Sequence, residues 1–123
     1  MMKTIEEIKN LVVAALDDLK AVNLQVIDVR GKTSFADFMV IASGTSNRHV
    51  KALANNVIVE SKKAEVMPQG IEGDKIGEWV LVDMGDVIVH IMQQQTRDFY
   101  QLEKLWETQA AEAVASISAS ANG

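Results

Sequence analysis

Several groups of residues in this chain have the types and spacings that chemistry requires. Ser43-Gly44-Thr45-Ser46 joins a β-rich segment to a helix-forming one. Backbone amides at such a turn, together with the helix dipole, make a possible anion site. Followed by acidic residues on a neighbouring strand that hold magnesium, it would suit nucleotidyl transfer. The motif is thin, with one glycine, no Walker lysine and no GxGxxG pattern; the commoner meaning of these letters is a strand-to-helix turn capped by Ser46. Asp83 and Asp86 can supply oxygen ligands to a hard cation, with Asp37 as a further carboxylate on a neighbouring strand. Aspartate beside a hairpin turn is also favoured for local hydrogen bonds to the backbone. A two-metal site needs its acids to converge beside the phosphate turn, which hairpin-end acids need not do. His90 has an ordinary pKa that suits a general base, yet no Ser or Cys stands at a useful spacing from it. His49 reads as a polar residue near a helix start. Neither histidine sits in an HExxH-like pattern, so no metal and no cofactor is expected.

The element that must position most of these groups is Trp79 to Met92, WVLVDMGDVIVHIM. It reads as two apolar strands joined by a tight turn at Met84-Gly85, where glycine supplies the positive φ that a short hairpin loop needs. That loop would set Asp83 opposite Asp86, Leu81 opposite Ile88 and Trp79 opposite His90. Side chains alternate across a strand. One face therefore carries Trp79, Leu81, Asp83, Asp86, Ile88, His90 and Met92; the other carries Val80, Val82, Val87, Val89 and Ile91. The aliphatic face suits packing under helices. The mixed face suits contact: Trp and Met are enriched at protein interfaces and Trp is a frequent hot spot. Trp79, Leu81, Ile88 and Met92, with Met39, are its informative members. A helix or the tail folding over this face would instead make them core.

Around the hairpin the chain alternates helix and strand signals. Thr4 and Glu7 have capping-box spacing, and Ile5, Ile8, Leu11, Val12, Ala15, Leu16 and Leu19 repeat at helical intervals over residues 5 to 20. Residues 23 to 29 are β-rich, and Gly31-Lys32 breaks them. Residues 37 to 43, DFMVIAS, have few polar positions and read as a central strand. Ser46 caps a helix through Lys63, with Val50, Leu53, Ala54 and Val57 as its stripe. Pro68 and residues 70 to 77 form a loop or a short irregular strand. Thr96 is expected to cap a last helix striped by Phe99, Leu102, Leu105 and Trp106. The predicted fold is a single α/β (α+β) domain with a mixed β-sheet and helices mainly on one face, leaving the other face bare.

The totals narrow the function classes. The chain has 123 residues, no cysteine, and 12 Lys+Arg against 17 Asp+Glu, a net charge of −5. Disulfides and thiolate metal sites are thereby excluded. Neither a signal-peptide core nor a membrane-length apolar run is visible, so a cytoplasmic location is expected. So acidic a surface is poorly suited to tracking phosphate backbones and better suited to a basic protein partner.

Residues 37 to 50, DFMVIASGTSNRHV, the Trp79–Met92 hairpin and residues 97 to 106, RDFYQLEKLW, closely resemble the ribosomal silencing factor (RsfS, or Iojap) family. The likeness covers roughly residues 4 to 107, and motifs in this order and spacing are far more specific than any single site above. It implies a nucleotidyltransferase-like fold without a full catalytic acid set, and no enzyme activity. It implies binding to protein number fourteen of the large ribosomal subunit, at the face where the subunits meet. Small-subunit joining would be blocked there, lowering translation when nutrients are scarce. A homodimer is implied for the free chain, with no membrane and no nucleic-acid site beyond incidental rRNA contact. Carried over by position, the contact residues would be Trp79, Leu81, Asp83, His90 and Met92, with Met84 at the turn. Residues 1–107 would form the domain, and 108–123 an Ala/Ser-rich flexible tail.

Overall fold

The computed structural model describes residues 3–105; the tail 108–123 and Trp106 lie outside them. Helix α1 (Ile5–Asp18) starts at the expected capping box, with Thr4 Oγ1 accepting from Glu7 N at 3.1 Å and Thr4 N donating to Glu7 Oε1 at 3.0 Å. Strands β1 (Val22–Asp28) and β2 (Phe38–Gly44) follow, then α2 (Asn47–Lys63). A short β3 (Gly70–Glu72) precedes the hairpin of β4 (Trp79–Asp83) and β5 (Val87–Gln93). Helices α3 (Gln94–Tyr100) and α4 (Leu102–Leu105) come last, separated by Gln101 at φ 50°.

The strands form one mixed sheet in the order β1-β2-β5-β4-β3. Only β2 and β5 run parallel; the other pairs are antiparallel. The parallel pair is central, and β2 is buried along its whole length, as its nearly unbroken apolar run requires. Alternation then assigns alternate residues to opposite faces. Val40, Ala42, Val80, Val82, Val87, Val89 and Ile91 pack with Val12 and Leu16 of α1 and Val50, Leu53 and Val57 of α2 in the main core.

The opposite face departs from the expectation of a bare surface. Met39, Ile41, Ile88 and Met92 form a second, smaller core with Val29 and Ala36 from the β1–β2 connection and Leu102 from α4. The reason is areal: four large apolar side chains on a central strand pair gain several kcal/mol by leaving water, and the connecting segments are long enough to cover them. Ile27, Trp79 and Leu81 stand at the rim of this cluster, only partly covered.

The hairpin turn lies one residue later than the sequence suggests. Met84 N donates to Val87 O at 3.0 Å, so the loop is Gly85-Asp86, with Gly85 at φ +91°. Positive φ at the first loop residue alone is the type II′ pattern, for which glycine is required at that position. Asp83 Oδ1 accepts Gly85 N at 2.8 Å and holds the turn there. Trp79 consequently pairs with Met92, Leu81 with His90 and Asp83 with Ile88. The pairing moves by two residues, an even number, so the paired side chains keep their predicted faces, while Asp86 passes into the loop.

The last helix also differs. Strand β5 passes straight into α3, with Gln93 at the N-cap and no side-chain cap bond, so Thr96 lies inside the helix. Leu102 is buried as expected, while Phe99 is 79% exposed.

Candidate functional site: a partly covered aromatic rim

Trp79 opens β4 at the end of the sheet where β5 enters α3. Its indole is only partly buried, and two aromatic partners hold it. Nε1–H donates to His90 Nδ1 at 2.9 Å, with the ring centroids 5.7 Å apart. Tyr100, at the C-terminal end of α3, stacks at 4.8 Å with a tilt of 51°. Phe99 then meets Tyr100 edge-on at 5.0 Å, the geometry that ring quadrupoles favour. Tyr100 is 48% exposed. Phe99 and Tyr100 line an open depression with Glu78, Gln93, Gln95 and Thr96.

His90 sits beneath this rim at 2% exposure, and burial pushes its pKa down to about 4, because the surroundings cannot solvate an imidazolium. Accepting the indole hydrogen at Nδ1 places the proton of the neutral ring on Nε2.

The sequence-derived contact residues divide on this geometry. Trp79, Leu81, Asp83, His90 and Met92 do share one sheet face, but only Trp79, Leu81 and Asp83 are partly exposed; Met92 is fully buried and His90 nearly so. Met84 turns to the other face, 5% exposed in the main core, where Ser61 Oγ reaches its Sδ at 3.9 Å. The one-residue displacement of the turn is the cause, since it makes Met84 the last paired residue and aligns it with Val80 and Val82. Phe99, expected in the buried stripe of the last helix, and Tyr100 are surface residues instead. Two adjacent aromatics cannot both lie on one narrow helical stripe, and that was the available signal.

A polar network anchors α3, and with it Tyr100. Arg97, 5% exposed, pairs with Glu103 Oε1 at 2.7 Å and donates through Nη1 to Ser43 Oγ at 3.1 Å and to the Asn23 carbonyl. Gln94 accepts from Asn23 Nδ2 at 2.7 Å and from Ser43 Oγ at 3.2 Å.

The glycine turn is closed by its own neighbours. Ser46 Oγ accepts from His49 N at 3.0 Å, making it the N-cap of α2. The His49 ring then bridges, Nδ1 accepting from Thr45 N at 2.9 Å and Nε2–H donating to Leu19 O at 2.8 Å. The acids lie elsewhere. In the parallel pair Gly44 stands beside Gln93, whereas the Asp86 turn precedes Val87, at the far end of the seven-residue β5, roughly 20 Å away. Asp37 belongs to that far end too, its N donating to Asp86 O at 2.8 Å. Among the described residues no three His, Asp or Glu side chains are grouped to hold a metal ion, and no helix is long and apolar enough to cross a membrane.

A family model described as "Ribosomal silencing factor during starvation" matches residues 2–123. The chain belongs to the ribosomal silencing factor family. Among similar proteins is the ribosomal silencing factor RsfS of Haemophilus influenzae, 52% identical over 91 residues, covering 74% of this chain and 89% of the relative. That of Chromobacterium violaceum is 49% identical over 102 residues, covering 83% and 84%. A crystal structure of a protein from Chromobacterium violaceum superposes with a TM-score of 0.84 at 48% identity, covering 85% of this chain and 88% of that one. The motifs that carried the resemblance thus lead to the same family as the whole-chain comparison.

Proposed function

We propose that this silencing-factor chain is a non-catalytic module that binds the large ribosomal subunit through its protein number fourteen. Seated at the joining face, it excludes the small subunit and represses translation under nutrient limitation. Occupancy alone achieves this, so no bond-making step is required. The domain formed by residues 1–107 carries the function, in the cytoplasm, and two copies pair when the ribosome is absent.

The observation that carries the reading is the partly covered Trp79–Tyr100–Phe99 group at one end of the sheet. A rim of aromatic surface beside Leu81 and Asp83 can give a hot spot with long residence. The acidic balance of 17 Asp+Glu against 12 Lys+Arg favours encounter with a basic protein. Within this reading Trp79, Leu81 and Asp83 touch the partner directly, while His90 and Met92 support them from beneath.

Co-sedimentation with isolated large subunits tests it. Trp79→Ala is expected to weaken binding by about 2 kcal/mol or more, roughly thirtyfold in Kd, with an unchanged circular dichroism spectrum. Equal recovery of variant and parent in the subunit pellet would refute the assignment.

A further inference from the structure

We infer that His90 is a positioning residue for the contact surface: it fixes the orientation of the Trp79 indole without meeting the partner itself. The inference rests on the reading of Trp79 as a contact residue and extends it to the group that holds Trp79 in place. With 2% of its surface exposed, His90 has almost nothing to offer another molecule. A buried imidazole between its strand partners Ile41 and Leu81 is also a poor choice for packing alone, where leucine would serve without any polar desolvation.

Its one hydrogen bond to a side chain among the described residues gives it a purpose. Trp79 is the first residue of β4, paired with Met92, while His90 pairs with Leu81. The two rings are therefore diagonal neighbours on one face, within the reach of aromatic side chains across a strand pair. A partly buried indole N–H needs a partner, and His90 Nδ1 supplies it at 2.9 Å from below the rim. With the N–H held inward and Tyr100 against the ring at 4.8 Å, the indole has one orientation. What it presents outward is carbon edge and π-face rather than a hydrogen-bond donor. The matching partner group is thus aliphatic or cationic, and an unordered indole would have to be immobilised on binding.

Packing and positioning make opposite forecasts for two substitutions. His90→Leu fills the site with apolar atoms, so it should keep or raise the melting temperature, yet it removes the acceptor. His90→Asn places Oδ1 near the position of Nδ1, so it should melt lower yet keep the indole bond. Positioning predicts that His90→Leu binds isolated large subunits about tenfold more weakly, while His90→Asn stays within about threefold of the parent. The Trp79 indole N–H resonance, assigned with Trp106→Phe, should exchange slowly in the parent and in His90→Asn and rapidly in His90→Leu. Should His90→Leu fold poorly, Trp79→Phe removes the same bond from the donor side and should show the same loss. A folded His90→Leu or Trp79→Phe with parental affinity would overturn the inference. Trp79→Ala in the same assay separates the two levels. If it binds normally, the contact reading itself fails; if it binds weakly while His90→Leu binds normally, only the positioning role fails.

Discussion

A buried imidazole gives acid sensitivity a definite sign. His90 is held at about 4 against an ordinary 6.5 by desolvation. Between those values the unfolded chain binds a proton that the folded chain does not, so stability falls as pH drops through the window. Below about 4 both states are protonated and the penalty is complete, at roughly 3 kcal/mol. Urea unfolding at pH 4.5 should therefore show a lower midpoint than at pH 7, and His90→Leu should remove most of the difference. Identical pH sensitivity in the variant would rule out His90 as its source. Asp28 acts in the same direction at lower pH: the side-chain and backbone hydrogen bonds of Arg30 hold it at about 2, against 3.8. Its contribution is present above 3.8 and is lost as pH falls toward 2, and the solvent that reaches both partners of this surface pair keeps it weak.

At the scale of the element, the turn from β2 into α2 shows why a phosphate-like motif serves structure here. A Cβ on Gly44 would stand 2.8 Å from Val50 Cγ2 and 2.9 Å from Val50 N, and a backbone atom of a helix cannot yield. Gly44→Ala is expected to destabilise the fold by about 1–3 kcal/mol, read as a drop in melting temperature, while an unchanged melt would show that α2 can move away. The amides that an anion would need are partly used, Thr45 N by the His49 ring and His49 N by Ser46. Element placement also explains the rim. Helix α3 starts without a break from β5 and is tied through Arg97 and Gln94 to Ser43 and Asn23, so Tyr100 is delivered against Trp79 by a braced helix.

For the molecule as a whole, the consequence of two unequal cores among the described residues is an incompletely covered apolar edge on one sheet face. Helices α1 and α2 seal one sheet face; short connections and α4 cover the other incompletely, leaving Trp79 and Leu81 at the edge. The proposed pairing of free copies and the proposed ribosomal contact both draw on apolar surface of this kind. If they share the rim, sedimentation of the chain at rising concentration should show dimers that disappear when large subunits are added and that Trp79→Ala weakens. Dimers that persist in Trp79→Ala would place self-association on another surface.

Much of this was readable from the letters alone. The capping box at Thr4, the Ser46 cap, the apolar run of β2 and the alternation through the hairpin are local patterns, and local patterns survive into the fold because they depend on neighbours in sequence. The face assigned to each paired hairpin residue held even though the turn moved, since a two-residue change of register conserves parity. The family was legible too, through ordered motifs. What tertiary structure decided was burial: whether Met92 met solvent depended on Val29 and Ala36 from the β1–β2 connection and on where Leu102 came to rest, which no local pattern announces. The turn at Gly85 rather than Met84 likewise placed Met84 among the helices, and the pairing of Trp79 with Tyr100 required α3 to fold back from the end of β5. Hydrophobic pattern encodes which side a residue takes; only packing between distant segments determines what lies on top of it.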